Sequence, residues 1–599
     1  MMISEGTPSP YSVTSCLCGE FPKWEVMRKF MSGNEAVARG AYEAGCRIAC
    51  AYPGTPSSEI LENIAKYKDK IYCEWSTNEK VALEVASGAV FAGTRSLVAM
   101  KHVGLNVAAD PVFSMGYIGA TGGFVIVSAD DPGMHSSQNE QDNRNYARAV
   151  KIAMLEPSDS EEARLLTKIG FDISEEFDTP VLLRLTTRIS HSYGIVNIEE
   201  REEHPPKGYE KNIKKRLILP AHARPRHIVV EERLKKLKDY SNSFPLNRIE
   251  WGNRDMGIIT SGVSYQYVKE VFPKASVLKL TFTWPLPDKI IKEFAEGVKK
   301  VIIVEENDPF LETEIKAMGI DVIGKEKVPV TGELDPYILK RAFGSSEEIY
   351  PTQDIPSRPP VLCAGCPHRG VFYVISKLKL TATGDIGCYT LGALPPLNAM
   401  DTCVCMGASI GNAFGLERAL GDEISDKIVA VIGDSTFFHS GITGLIDIVY
   451  NKGTSTIIIL DNSTTAMTGH QEHPGTGKTL MGEETKKIAL ENIVKACGVE
   501  NVYVIDPYDL KETEEIIKRE VKRREPSVII ARRPCALMVK SEPPLMVISE
   551  KCTGCKLCIG LGCPAISIKD NKAVIDKFLC TGCGMCAEVC LKEAIEGKG

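Results

Sequence analysis

Eight cysteines in the last 48 residues constrain this chain more than any other feature. Cys552, Cys555 and Cys558 are followed by Cys563-Pro564, and Cys580, Cys583 and Cys586 are followed by Cys590. The second run repeats the first 28 residues later, with its fourth member at 27. A C-x2-C-x2-C triplet puts three thiolates on a tight turn, where they reach three iron corners of one cubane cluster. In two-cluster modules the fourth cysteine of each run ligates the other cluster. The expected grouping is Cys552, Cys555, Cys558 and Cys590 on one [4Fe-4S] cluster, with Cys580, Cys583, Cys586 and Cys563 on the other. Two details depart from the usual run: four residues separate Cys558 from Cys563, and Leu591 stands where proline is common. A zinc ribbon or a disulfide knot competes for so many cysteines, but neither accounts for the duplicated triplet. Such a segment moves single electrons.

The bulk properties are those expected of a cytoplasmic enzyme. A chain of 599 residues, 43% hydrophobic, suffices for about four domains with their own cores. A net charge of −7 and a pI near 5.9 leave no electrostatic footprint for nucleic acid. No apolar run reaches the ~18 residues of a membrane span. The opening MMISEGTPSPYSVTSCLCGEF lacks the basic-then-apolar order of a signal peptide. Cys16 and Cys18 read as an incidental pair on an N-terminal extension, residues 1–32. The remaining cysteines are scattered through α/β sequence, which fits reduced thiols in an oxygen-poor cytoplasm.

Short apolar runs alternate with helical stretches, the pattern of parallel sheets covered by helices. A first unit spans 33–200, with RIACAYPG, SLVAMKH, GFVIVSADD and PVLLRLTT as strands. Residues 201–250, rich in Lys, Arg, Glu and Pro, read as a solvated connector. A second unit covers 251–344, and the proline-rich 345–360 reads as a linker. A third unit covers 361–540, with KIVAVIGDS, TSTIIILDNS and PSVIIARR as strands. The cysteine module fills 541–599. The fold class is α/β: three doubly wound domains plus a two-cluster ferredoxin-like domain.

The third unit carries a second chemical signature. Gly433-Asp434-Ser435 ends one strand, Asp461-Asn462 ends another, and 26 residues separate Ser435 from Asn462. A Gly-Asp pair followed about 30 residues later by a strand-end Asn is the spacing that holds thiamine diphosphate through Mg²⁺. That cation demands hard oxygen ligands in near-octahedral geometry. Asp434 and Asn462 are the side-chain candidates and the Thr464 carbonyl the backbone one. Ligands of open α/β sheets bind at the carboxyl ends of strands, where both loops lie. Ser435 replaces the usual glycine. The plain alternative is a strand-end Asp with an unrelated turn Asn.

Taken in order, GNEAVARGAYEAG, YPGTPSSE, NEKVALEVASGA, DDPGMHSSQNEQDNR, CAGCPHRG, GDIGCYTLG, MGASIGNAFG, GDSTFFHSG and LDNSTTAMTGHQ precede the two cysteine runs. With them the chain resembles the 2-oxoacid:ferredoxin oxidoreductases over residues 33–599, and within that family the large subunits of the indolepyruvate group. The resemblance implies that the first unit binds the aminopyrimidine ring, the third binds the diphosphate, and the second is a transketolase C-terminal-type domain. It implies that Glu79 hydrogen-bonds the aminopyrimidine, which promotes formation of the reactive carbanion. Read alone, Glu79 is a helix glutamate like Glu84.

By the same resemblance Thr55 contacts the 2-oxoacid end of the substrate; without it, Thr55 is a helix N-cap. His102 and Asn139 are placed near the substrate, and His368 near the diphosphate. Cys388 faces the cofactor pocket, and Gly407, like Gly433, permits close backbone approach. The Cys363-x2-Cys366 pair is expected near the cofactor without ligating a cluster of its own; a third metal site built from Cys363, Cys366 and Cys388 is the alternative. Here Ala364 and Pro367 depart from the commoner form of the segment.

The implied reaction is oxidative decarboxylation of an aryl 2-oxoacid to an acyl-CoA, with electrons leaving one at a time through [4Fe-4S] clusters to ferredoxin. Coenzyme A is the co-substrate. A smaller β subunit in an α2β2 assembly is the implied partner, with no role for nucleic acid or membrane. Branched-chain or aryl-glyoxylate substrates are the nearest alternative. A non-oxidative decarboxylase and a bare electron carrier are the readings from other classes.

Overall fold

The computed structural model describes residues 27–344, 356 and 359–597. The extension bearing Cys16 and Cys18, and nearly all of the 345–360 linker, lie outside the described residues. The first sheet has seven strands in the order Phe282–Trp284, Ala153–Leu155, Val181–Thr186, Phe124–Asp130, Ser96–Lys101, Ile48–Ala51 and Tyr72–Trp75. Its middle strands Phe124–Asp130 and Val181–Thr186 are buried along their whole length. Parallel strands covered on both faces require this, and it explains their unbroken apolar runs. The outermost strand, Phe282–Trp284, comes from the second unit in sequence and pairs antiparallel with Ala153–Leu155. The second unit's own sheet has five strands, and its apolar residues Ile259, Leu278 and Ile303 share one core with Leu83, Val98 and Leu182 of the first.

The segment read as a connector contains the 23-residue helix Pro220–Asn242. It is anchored by polar contacts: Arg226 donates to the Tyr117 and Ile118 carbonyls, and Arg233 to that of Asp178. Such capture of backbone carbonyls does not show in apolar periodicity, so the charged composition concealed it.

The third sheet runs Thr402–Cys403, Thr381–Gly384, Ile428–Gly433, Thr456–Asp461, Ser527–Arg532 and Asn501–Ile505, all parallel. The terminal module packs against this unit. Leu510 joins the module's apolar core, and Arg369, buried, donates to the Leu561 carbonyl at 2.7 Å and to those of Leu362 and Cys363. Among the described residues no helix is long and apolar enough to cross a membrane.

Strand ends of the first and third sheets face each other. Tyr52, just past Ile48–Ala51, places its hydroxyl 2.8 Å from Ser435 Oγ.

Candidate active site

Asn78 caps the helix Glu79–Phe91 by accepting from the Val81 N–H, so Glu79 occupies the first helical turn. The cap is worth about 1 kcal/mol. Glu79 is buried against the third unit, with Oε2 2.8 Å from His439 Nε2, whereas Glu84 is exposed and pairs with Lys80. A carboxylate kept out of water at a domain seam is poorly explained as a surface residue. Gly104 makes room for it: a Cβ there would stand 2.6 Å from Glu79 Oε1.

Across the seam, Asp434 follows the strand Ile428–Gly433 and is buried. Its Oδ1 accepts from Ser435 N–H and its Oδ2 from Ser463 N–H, each at 2.8 Å. Burial pushes its pKa up, with the neighbouring His473 opposing the shift. His473 Nε2 stands 3.3 Å away, buried and without a hydrogen-bond partner. Asn462 is oriented by His368, whose Nε2 lies 3.5 Å from the amide nitrogen, while Asn462 Oδ1 sits near the Thr464 N–H. Burial drives the His368 pKa down to about 4, so the ring is a neutral acceptor. Two carboxyl oxygens, an amide oxygen and the nearby Thr464 carbonyl form the hard, oxygen-rich set that fits Mg²⁺. Ser435 bridges the domains, between the Tyr52 hydroxyl and Thr465 Oγ1, the latter at 2.9 Å.

Glycines leave the cradle open. A Cβ on Gly433 would meet the Tyr389 ring at 2.7 Å. Gly407 caps the helix Ala408–Leu420 with φ of 87°, and a Cβ there would fall 2.5 Å from that of Ser440. Its N–H is held by Asp385, which also accepts from Ser409 N–H.

Thr55 lies in the loop before the helix Ser58–Ile64, which Ser57 precedes, so Thr55 is not spent on capping. Lys101 packs on Gly54 of this loop and reaches the Ser136 carbonyl; burial lowers its pKa to about 8. His102 and Asn139 contact each other, Nε2 to Oδ1 at 3.0 Å, and His102 Nδ1 has no hydrogen-bond partner. That pair ties two loops of the first unit together.

In the terminal module, Cys552, Cys555, Cys558 and Cys590 line one cavity and Cys563, Cys580, Cys583 and Cys586 another. All the described cysteines are free thiols, as a cluster site needs and a disulfide knot does not. The extra residue of the first run is absorbed in the turn Leu557–Leu561, closed by Gly562 at φ of 66°. Leu591 is exposed. Ala364, Gly365 and Arg369 of the third unit help to line the cavity of Cys563.

A further set of thiols adds Cys535, which the sequence reading did not single out, to Cys363, Cys366 and Cys388. Cys388, its pKa raised to about 11 chiefly by burial, feels the charges of Cys363 and Cys535; Cys366, raised to about 12, feels Cys363 and Cys388. Cys535 donates its N–H to the Asn462 carbonyl at 3.0 Å. Cys363 and Cys366 flank Ala364 and Gly365, which line the cavity of Cys563.

Sequence reasoning also passed over His439, His473 and Asp385. Gly384-Asp385 at the end of Thr381–Gly384 repeats the strand-end Gly-Asp pattern of Gly433-Asp434, a signal that could have found it. Cys535 follows the strand end Ser527–Arg532, at the same sheet edge as Asn462.

Three family models match the chain. "Pyruvate flavodoxin/ferredoxin oxidoreductase, thiamine diP-bdg" covers 39–242, "Thiamine pyrophosphate enzyme, C-terminal TPP binding domain" 385–531 and "4Fe-4S dicluster domain" 545–591. A solved "2-oxoglutarate:ferredoxin oxidoreductase from Magnetococcus marinus" aligns with a TM-score of 0.44 at 20% identity, over 53% of this chain and 65% of that one. "Indolepyruvate oxidoreductase subunit IorA" of Archaeoglobus fulgidus is 44% identical over 95% of this chain and 97% of its own length. Its counterpart in Methanothermobacter thermautotrophicus is 43% identical over 95% and 98%. That of Thermococcus kodakarensis is 42% identical over 95% and 97%. With thiamine-binding domains on either side of the Glu79–Asp434 seam and a cysteine-lined module docked beside it, the chain belongs to the indolepyruvate oxidoreductase subunit IorA family of 2-oxoacid:ferredoxin oxidoreductases.

Proposed function

We propose that the chain performs CoA-acylating oxidative decarboxylation of aryl 2-oxoacids, indolepyruvate among them, with ferredoxin as electron acceptor. The observation that carries the reading is the seam where Glu79 of one domain faces Asp434 and Asn462 of another. Asp434, Asn462 and the Thr464 carbonyl hold Mg²⁺, and Glu79 holds the aminopyrimidine. His368, Gly407, Gly433 and Ser435 shape the diphosphate cradle, and Cys388 lies beside it. Bound there, thiamine diphosphate supplies a carbanion for the 2-oxo carbon and an electron sink for the departing CO₂. Thr55, with Lys101 behind it, receives the 2-oxoacid end, and the His102–Asn139 pair sets the loops around it.

Two [4Fe-4S] clusters are assigned to the terminal module in the crossed grouping of its cysteines. The quartet Cys363, Cys366, Cys388 and Cys535 is assigned a third, supported by the mutual proximity of its thiols and by the Cys535 N–H bond to the Asn462 carbonyl. Thiolate ligation makes each a one-electron site. A smaller β subunit completes the enzyme, in an α2β2 assembly in the cytoplasm, and contributes to the CoA site.

The test is anaerobic reduction of a low-potential dye by the chain with its small partner, on indolepyruvate, phenylpyruvate, 2-oxoisovalerate and pyruvate, with and without CoA. CoA-dependent reduction strongest on the aryl substrates is expected. Preference for 2-oxoisovalerate or pyruvate would overturn the substrate, and aldehyde release without dye reduction would overturn the oxidoreductase. Iron content separates two clusters from three: about eight or about twelve iron atoms per chain.

A further inference from the structure

Two consecutive residues of the first domain grip a single histidine of the third. His439 lies on the π-helical turn Phe437–Gly441, a local distortion often found at functional sites. Its Nε2 is 2.8 Å from Glu79 Oε2, and both side chains are buried. Asn78 takes hold of the same residue elsewhere: its Nδ2 donates to the His439 carbonyl at 3.0 Å while its Oδ1 caps the Glu79 helix. Tyr52 fixes the ring edge-on, with centroids 4.6 Å apart. Ser440 Oγ lies 2.6 Å from Nδ1.

We infer that His439 is a positioning residue for Glu79, occupying Oε2 and leaving Oε1 to face the aminopyrimidine. The inference rests on the thiamine diphosphate reading above. A carboxylate only accepts hydrogen bonds, so the imidazole must donate through Nε2–H. In the neutral ring that tautomer leaves Nδ1 an acceptor, and the Ser440 hydroxyl is the donor within reach. Donation thus runs one way, from Ser440 through His439 to Glu79. On the other side of the carboxylate, Gly104 keeps Oε1 free of a side chain. The carboxylate is held in one rotamer with one oxygen committed, which is how a general acid–base group is pre-organised.

The test uses His439→Ala and His439→Gln in the full chain with its small partner, read without substrate. Binding of thiamine diphosphate with Mg²⁺ is titrated calorimetrically. Exchange of the bound cofactor's C2 proton for deuterium is followed by quenched NMR. His439→Ala is expected to slow exchange at least about tenfold while weakening binding by less. His439→Gln, whose amide N–H reaches the same carboxylate oxygen, is expected to recover at least about a third of the rate. Exchange at the wild-type rate in His439→Ala would overturn the inference. Equal loss of binding in both variants with exchange intact would also overturn it and make His439 an interdomain tie alone. A wild-type chain that binds no thiamine diphosphate would overturn the underlying reading instead.

Discussion

The two cysteine quartets of the terminal module and the quartet beside Asn462 offer the same thiols by opposite routes. The terminal sets arise from two runs of 12 and 11 residues, so local turns bring six of the eight thiols together, and only Cys563 and Cys590 cross over. The inner set draws Cys363 and Cys366 from the start of the third unit, Cys388 from a turn after its first strand, and Cys535 from beyond the strand Ser527–Arg532. No spacing rule links them. Cys388 and Cys535 lie past the carboxyl ends of two parallel strands of one sheet, while Cys363 and Cys366 precede the helix His368–Leu378. A site built by local turns belongs to its module, whereas one built by sheet topology belongs to the active site.

That contrast is sharpest in substitutions of single thiols. Cys535→Ser in the inner quartet is expected to cut substrate-driven dye reduction at least about 100-fold. It should remove about four iron atoms per chain while leaving the terminal module's signals in electron paramagnetic resonance. Unchanged iron with unchanged dye reduction would reduce the inner thiols to packing. Cys590→Ser should act on the other side of the comparison. Ferredoxin reduction is expected to fall about 10- to 100-fold, while a small dye that can reach the inner quartet still turns over. Because metal binding is coupled to folding, the module should also lose resistance to proteolysis. Equal loss with both acceptors would mean that all electrons leave by way of the Cys552 cavity.

A smaller effect is expected at the joint between the two kinds of site. Arg369 is buried and donates to Leu561 of the module and to Leu362 and Cys363 of the third unit. Arg369→Met keeps much of the volume and removes the donors, stranding carbonyls at a cost of about 1–3 kcal/mol. Loosened docking should slow ferredoxin reduction by up to about tenfold with iron content unchanged, as measured by single-turnover absorbance. No change in rate would show that apolar contacts such as those of Leu510 suffice.

Legibility followed the same division. Asp434, Asn462 and the terminal thiols could be read because each motif is a short run fixed by local geometry. Glu79 could be singled out only by resemblance, since nothing in NEKVALEVASGA marks it over Glu84; burial at the seam does. His439 and Cys535 were missed because their partners lie 360 and 73 residues away, at Glu79 and Asn462. The strand Phe282–Trp284 was assigned to the second unit for a like reason: a short edge strand carries no record in its own residues of which sheet it joins. The Pro220–Asn242 helix was hidden by its charge: Lys235, Lys236 and Asp239 face solvent, while Arg226 and Arg233 bond backbone carbonyls.

The least effect on electron flow is expected far from every thiol, at the joint between the first and second units. Buried Arg144 and Arg184 there reach Asp130, Asp142, Glu156 and Glu305, and Glu306 lines the same cavity. Desolvation raises the Glu306 pKa to about 7, against its accepted hydrogen bond from Leu334 N–H and the nearby charge of Arg184. Below its usual value of 4.5 the side chain is protonated whether folded or unfolded. Between 4.5 and about 7 the folded state holds a proton that the unfolded state has lost. Stability therefore falls as pH rises through that window, by about 3 kcal/mol once it is crossed. Glu306→Gln keeps an oxygen for Leu334 N–H and carries no charge, so its advantage over wild type should be near zero at pH 4.5 and greatest at pH 8. Urea midpoints across that range measure it. Parallel curves would mean that Arg144 and Arg184 already neutralise the carboxylate. Turnover measured at one pH should match wild type in either case, because the Glu306 carboxylate bonds to Leu334 N–H and to none of the residues assigned to the active site.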